Sequence, residues 1–141
     1  MNDRLLQTPP SKVTSDYWVY AYRQKGEYPE HTSNGGKWLV FVSDFFLDKI
    51  WMKIKTATEQ GKLGGMAKVA TVKINLDFIN LKVKVICVYT YDWKDEMDVK
   101  RIRDELRNMG ITRKIAYKSD EDTDQNRYRI NSSERLCKYY E

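Results

Sequence analysis

Three lysines stand beside small residues in segments whose pattern predicts β-strands. Lys37 directly follows a glycine pair, Lys68 lies two residues before Ala70, and Lys118 lies two residues after Ala116. Because alternate residues of a strand share a face, an alanine next to a lysine leaves space above the sheet. Ammonium groups around such a space would bind a phosphate through charge-assisted hydrogen bonds. Each lysine taken singly also fits a strand-edge residue that extends into water.

Further side chains on neighbouring segments would complete a phosphate site. Hydroxyl and guanidinium groups bind phosphate oxygens, and an aromatic ring can stack on a base. The predicted ligand residues are Lys37, Lys68, Thr71, Tyr89, Tyr91, Trp93, Tyr117, Lys118, Arg127 and Arg129. The leading hypothesis is therefore a module that binds a nucleotide, a cyclic nucleotide or an RNA end.

The single histidine, His31, leaves an enzyme open as an alternative. Histidine is the side chain whose unperturbed pKa lies near neutrality. A lysine activated by neighbouring cations, with a histidine opposite, would suit β-elimination or proton transfer. A third alternative is a protein-interaction module with an aromatic or sheet-edge surface. That alternative predicts a large exposed apolar patch and no cation cluster.

Neither a metal nor a cofactor is expected. The sequence has two cysteines and one histidine without zinc-ligand spacing, and it has no glycine-rich nucleotide motif. The acidic run between Asp120 and Asp124 lacks the spacing and the glycine of a calcium loop, so it reads as a solvated loop.

Composition favours a small, basic protein with an anionic partner. The chain has 141 residues, a formal net charge of +5 and a pI of about 9.1. This length predicts one domain, and this charge favours phosphates, nucleotides or nucleic acid. The absence of a cysteine-pairing pattern and the lack of a long apolar run predict a cytoplasmic protein that does not interact with a membrane.

The hydrophobic pattern predicts an α+β fold for residues 16–141, preceded by a flexible arm over residues 1–15. The predicted strands are 16–23, 37–42, 67–74, 82–92, 113–118 and 127–130. Two amphipathic helices are predicted, one between Ser43 and Gly61 and one over 95–109. Two helices cannot cover both faces of such a sheet. We therefore expect a curved, mostly antiparallel sheet with both helices on one face and a ligand site on the other.

Five stretches together resemble a known family: "GKWLVF", "GKLGGMAKVAT", "VICVYTYDW", "DVKRIRDELRNMGI" and "IAYKSDEDT". Over residues 17–130 they are similar, in order and spacing, to the basophilic-leukaemia-expressed protein (Bles) family. The resemblance implies a fold like that of the eukaryotic cap-binding initiation factor, without implying cap binding. That factor clamps a base between two tryptophans near an acid. The corresponding residues here would be Trp18, Trp93 and Asp92 or Asp95.

The same resemblance bears on the enzyme alternative. Microbial relatives are described as similar to phosphothreonine lyases, which use a catalytic lysine with cationic phosphate ligands. The resemblance would make Lys68 or Lys37 the base and His31 the acid. Those lyases also carry a lysine and a histidine one residue apart, and this sequence has no such pair.

Overall fold

Six antiparallel strands and two α-helices form an α+β fold in the computed structural model, which describes residues 8–73, 82–121 and 137–141. The strands are β1 (Trp18–Tyr22), β2 (Gly36–Ser43), β3 (Met66–Ala70), β4 (Val83–Thr90), β5 (Ala116–Ser119) and β6 (Tyr139–Tyr140), and the helices are α1 (Asp44–Glu59) and α2 (Glu96–Asn108). The strand order is β1-β3-β4-β2-β5-β6, so β1 and β6 are the edges of the curved sheet that the described residues form. The predicted fold class is confirmed.

Side-chain alternation divides the sheet into two faces. On β2, Trp38 and Val40 pack into the main hydrophobic core, while Leu39 belongs to a separate small cluster with Val85 and Cys87. Since successive residues of a strand point to opposite sides, the two clusters lie on opposite faces of the sheet. We call them the helix face and the open face.

Both helices pack on the helix face, as the sequence predicted. The buried residues of α1 and α2 fall at helical spacing and join one core with the strands. From α1 these are Leu47, Trp51, Ile54 and Ala57, and from α2 they are Val99, Ile102 and Leu106. The open face therefore carries no helix among the described residues.

The helix ends follow local capping chemistry. The Asp95 side chain accepts a hydrogen bond from the Asp98 backbone N–H at 3.2 Å at the start of α2. Ser43 occupies the N-cap position of α1, but its side chain makes no capping hydrogen bond. Gly61 and Gly110, with φ of 79° and 101°, follow the two helices in the left-handed conformation that glycine accepts most readily.

Two terminal segments contain structure that the sequence analysis does not predict. Within the predicted arm, 10–12 form a 3₁₀-helix, and the Ser11 backbone N–H donates to Asp48 of α1 at 3.0 Å. The predicted strand at 127–130 lies outside the described residues. The last strand of the described residues is β6, which pairs with β5. The domain boundary after residue 15 stays a prediction. No helix in the described ranges is both long and apolar enough to span a bilayer.

Candidate functional site

A cleft of about 490 Å³ opens on the open face, where β2, β3 and β4 meet the loop that precedes β2. Its walls are Tyr28, Pro29, His31, Lys37, Gly65, Met66, Lys68, Tyr89, Thr90, Tyr91 and Asp120. Lys37, Lys68, Tyr89 and Tyr91 are predicted ligand residues. The fold thus brings side chains from distant parts of the sequence to one cleft.

An aspartate links a lysine and a histidine at the cleft wall. Asp120 accepts a hydrogen bond from Lys37 Nζ at 2.9 Å, and its other carboxylate oxygen lies 2.5 Å from His31 Nε2. Asp120 directly follows β5, whose Ser119 is paired with Gly36 in β2, so sheet register places it beside Lys37. Lys37 itself is only 2% exposed, and this pairing reduces the cost of burying its charge.

The loop before β2 holds His31 against Asp120. The Thr32 backbone N–H donates to Tyr91 O at 2.9 Å and the Gly35 N–H donates to Thr32 O at 3.0 Å, which ties the loop to the end of β4. A Cβ atom at Gly35 would lie 1.9 Å from His31 Nε2. Glycine is needed there for close approach, because any side chain would displace the imidazole.

Lys68 is the lysine of the cleft that has no carboxylate partner among the described residues. Its Nζ lies 3.9 Å from the centroid of the Trp18 ring, a cation–π contact, and its backbone is paired with Cys87 of β4. Within the described part of the chain it forms no ion pair. Burial, with a smaller contribution from the charge of Lys37, lowers the pKa of Lys68 below 10.5.

The surroundings of Lys68 also shift the pKa values of two neighbouring groups, Asp120 and Cys87. Burial alone would raise the pKa of Asp120, but hydrogen bonds from Lys37 and His31 hold it below its usual 3.8. Burial raises the pKa of the Cys87 thiol to about 11, so this thiol stays neutral beneath Lys68 at ordinary pH. The lining residues therefore carry two lysines and a histidine against one carboxylate, an environment that favours an anion.

Three tyrosines form the aromatic wall, and two have their hydroxyls engaged. Tyr28 donates to Asp98 Oδ2 at 2.5 Å and accepts from the Tyr91 backbone N–H at 3.2 Å. The Tyr91 hydroxyl donates to Asp95, which raises the pKa of Tyr91 to about 12. Tyr89 instead offers its ring to the cleft, with Lys37 Nζ 5.7 Å from the ring centroid.

Several predicted ligand residues do not line the cleft. Thr71 is buried and donates to the backbone carbonyl of Asp16. Tyr117 points to the helix face, where its hydroxyl lies 2.6 Å from Thr90 Oγ1. Lys118 is paired with Lys37 on the open face, but it is 1% exposed and lies outside the cleft. Arg127 and Arg129 lie outside the described residues.

The two tryptophans of the resemblance do not form a clamp. Trp93 packs against the core of the helix face, and its carbonyl accepts a hydrogen bond from the Tyr139 hydroxyl at 2.8 Å. Trp18 packs against the small cluster of the open face. Because the two rings lie against opposite faces of the sheet, no base can be held between them.

Sequence analysis missed Asp120 and Tyr28 as residues of the cleft. Asp120 begins an acidic run that reads as a solvated loop, and only the register of β2 and β5 brings Asp120 beside Lys37. The available signal for Asp120 was its position directly after β5, the strand that pairs with the Lys37 segment of β2. Tyr28 lies in a loop, and sequence periodicity does not predict loop packing.

Comparisons with known proteins agree with this fold. The solved structure of C. elegans eIF4E-3, described as a complex with the 4E-binding protein Mextli and cap analog, matches with a TM-score of 0.53 and 21% sequence identity. The match covers 77% of this chain and 65% of that chain, so this chain spans less than two thirds of the neighbour's length. At this identity the likeness shows the fold alone. A family model described as "Basophilic leukemia-expressed protein Bles03" matches residues 30–124, more than half of the sequence, and the chain therefore belongs to that family.

Proposed function

We propose that this protein is a binding module for a phosphate-bearing ligand, held in the cleft of the open face. The observation that supports the proposal is the meeting of Lys37, Lys68 and His31 around one carboxylate, that of Asp120. A nucleotide, a cyclic nucleotide or an RNA end would supply the phosphate. The structural neighbour that contains a cap analog gives the fold a precedent for such a ligand.

Lys68 would make the main contact with the phosphate. Its ammonium group lies over Trp18 without a carboxylate partner among the described residues, and its burial disfavours the charged form. A phosphate oxygen would supply the missing countercharge and raise the pKa of Lys68 again. Lys37 would make a weaker contact, because Asp120 already occupies one of its hydrogen-bonding directions.

Tyr89 would position the organic part of the ligand. Its ring lines the cleft between Lys37 and the His31 ring, whose centroid is 6.1 Å from that of Tyr89. The neighbouring Tyr28 and Tyr91 rings meet edge to face, with their centroids 5.5 Å apart. A flat base or sugar would therefore rest against Tyr89, while Tyr28 and Tyr91 form a fixed wall.

An equilibrium titration with nucleotides and short RNAs, at low and at high salt, tests the proposal. We expect binding at low salt that weakens as salt rises, since salt screens such contacts. Lys68→Met should weaken binding, and Lys84→Met is the matched control. Lys84 is also a strand lysine, but it pairs with Asp44 at 3.1 Å outside the cleft. No binding to any of these ligands at low salt would contradict the proposal.

A phosphothreonine-type lyase is the second candidate, favoured by the acid–base groups of the same cleft. Lys68, with its lowered pKa, would take the Cα proton while the Cβ–O bond breaks and a carbon–carbon double bond forms. His31, oriented by Asp120, would protonate the leaving phosphate. Phosphate released from a phosphothreonine peptide, with an unsaturated product that Lys68→Ala abolishes, would support it. Unchanged peptide would exclude it.

We favour ligand binding over the protein-interaction alternative, although Phe45 and Phe46 are exposed at the start of α1. That alternative predicts no cation cluster, whereas Lys37 and Lys68 share one cleft. We further propose that the protein acts in the cytoplasm, where a reduced thiol such as Cys87 is the ordinary state.

A further inference from the structure

Edge strand β1 presents a row of three aromatic rings on the open face. Trp18, Tyr20 and Tyr22 alternate with residues that face the other side, such as Ala21, which is 2% exposed and joins the main core. Tyr20 is 44% exposed and Tyr22 is 56% exposed. Edge strands are usually protected by charges or proline, so an open aromatic row at an edge calls for a functional explanation.

Two rings of the row, those of Tyr20 and Tyr22, lie nearly parallel. The centroids of Tyr20 and Tyr22 are 6.1 Å apart and their planes differ by only 9°. A single exposed aromatic residue is ordinary on a protein surface. Two neighbouring rings with parallel planes, each about half exposed, form a surface on which flat groups can stack.

The row borders the cleft directly. In the β1–β3 register, Tyr20 is paired with Lys68 and Tyr22 with Met66, and both partners line the cleft. Neighbouring strands are about 4.8 Å apart, so one residue spacing separates the rings from the proposed phosphate contact. Lys68 also covers Trp18, which links the third ring of the row to the same ammonium group.

We propose that the ligand of this face is a single-stranded nucleic acid, with successive bases stacked on Tyr20 and Tyr22 and a phosphate at Lys68. This inference rests on the proposed function and extends it to a ligand class and a second subsite. Sheets that bind single strands stack two or three bases on aromatic residues in the same way. The net charge of +5 complements the backbone of such a strand.

Stacking on these rings requires unpaired bases, so the row should prefer single strands to duplexes. In a duplex the base faces are already stacked on their neighbours, so the row should discriminate against duplexes of the same sequence. The base of a free nucleotide would rest against Tyr89, whereas a single strand would place further bases on both rings of the row. Affinity should therefore rise with the number of bases, and not only with the number of phosphates.

The test measures binding of 5′-phosphorylated tetrauridylate, its deoxy counterpart, an abasic phosphodiester oligomer of equal length, and inorganic phosphate. The variant is the double substitution Tyr20→Ser with Tyr22→Ser. The matched control is Tyr140→Ser, since Tyr140 is 48% exposed but lies on β6 at the opposite edge. We expect the double variant to lose at least about tenfold in affinity for the oligonucleotides. Its affinity for the abasic oligomer and for phosphate should be unchanged, and Tyr140→Ser should behave as wild type.

The outcomes separate this inference from the proposed function. If phosphate and the abasic oligomer bind as tightly as tetrauridylate, the stacking row is excluded while the phosphate cleft stands. If Tyr140→Ser loses as much as the double variant, the surface is not specific and the inference fails. If none of the probes binds wild-type protein at low salt, both proposals are overturned. The two oligonucleotides distinguish an RNA from a DNA ligand.

Discussion

The same strands form the helix face and the open face, but the helix face buries apolar side chains, whereas the open face carries the charged side chains of the cleft. On β2, Trp38 is fully buried against α2, where its indole N–H donates to Val99 O at 3.1 Å. The next residue toward the N-terminus, Lys37, is almost equally buried but points to the open face and pairs with Asp120. One face is closed by helices, and the other is partly closed by charged and aromatic side chains.

Because of this difference, we expect the helix face to determine folding stability and the open face to determine ligand affinity. Burial of apolar surface on the helix face supplies most of the folding free energy. The open face places cations at partly desolvated positions, which costs free energy unless an anion is bound. Substitutions on the helix face should therefore act mainly on unfolding, and substitutions in the cleft mainly on ligand affinity.

Replacing one tryptophan on each face gives the largest expected contrast. Trp38→Ala removes a fully buried ring and its hydrogen bond, so we expect a loss of about 3–5 kcal/mol in the free energy of unfolding. Trp18→Ala, on the open face, should cost much less and should weaken nucleotide binding. Urea denaturation of both variants checks the difference. Equal destabilisation would contradict the division between the faces.

Replacing Lys68 should give the largest effect on affinity. Lys68→Met removes the ammonium group that lies over Trp18 and lines the cleft, so we expect phosphate-ligand affinity to fall by roughly tenfold to a hundredfold. Stability should be unchanged or slightly higher, because the variant no longer buries a charge. Calorimetric titration, with Lys84→Met as the control, makes the measurement. A loss of stability with unchanged affinity would assign Lys68 a structural role.

Replacing Asp120 should move stability and affinity in opposite directions. Asp120→Asn removes the carboxylate that pairs with Lys37 and His31, so we expect about 1–3 kcal/mol of destabilisation. Anion affinity should rise by roughly threefold to tenfold, because the competing negative charge is gone. The pKa of Asp120 is lowered in the fold, so its contribution to wild-type stability is present above pH 3.8 and is lost in more acidic solution. A fall in anion affinity would show that Asp120 holds the lysine in its binding position.

The smallest expected effect is a pH dependence that arises from Lys68. Its pKa is lowered in the fold, so the folded protein releases this proton at a lower pH than the unfolded chain, whose value is near 10.5. Stability should consequently rise with pH just below 10.5, while phosphate affinity falls as the ammonium group is lost. Both slopes should be reduced in Lys68→Met. Identical profiles in the two proteins would contradict the lowered pKa.

The sequence predicted the main elements because their patterns are local. Alternation in β1, the nearly continuous apolar run of β2 and the helical stripes of α1 and α2 require no knowledge of partners. Strand β6 was not predicted, because its two residues, Tyr139 and Tyr140, carry no periodicity of their own. Its pairing with β5 is a tertiary contact. The 3₁₀-helix at 10–12 was missed for a related reason, since two prolines suggested irregular chain although proline is accepted at a helix start.

The site was predicted in part because strand parity was applied to the lysines and not to the hydroxyl residues. Parity places Lys68 and Ala70 on one face, and a step of one residue turns Thr71 to the other. The same step separates Tyr117 from Lys118. The position of Asp120 beside Lys37 depends on the pairing of β5 with β2, and a local sequence pattern does not show which strands pair.

The proposed phosphate site on the open face is tested most directly by an amide NMR titration with a nucleoside 5′-monophosphate at low salt. We expect the shifted amides to cluster around Lys37, Lys68, Tyr89 and Asp120, whereas the amide resonances of α1 and α2 on the outer surface should not shift. The cluster should disappear in Lys68→Met. Shifts confined to the helices, or no shifts at any ligand concentration, would contradict a phosphate site on the open face.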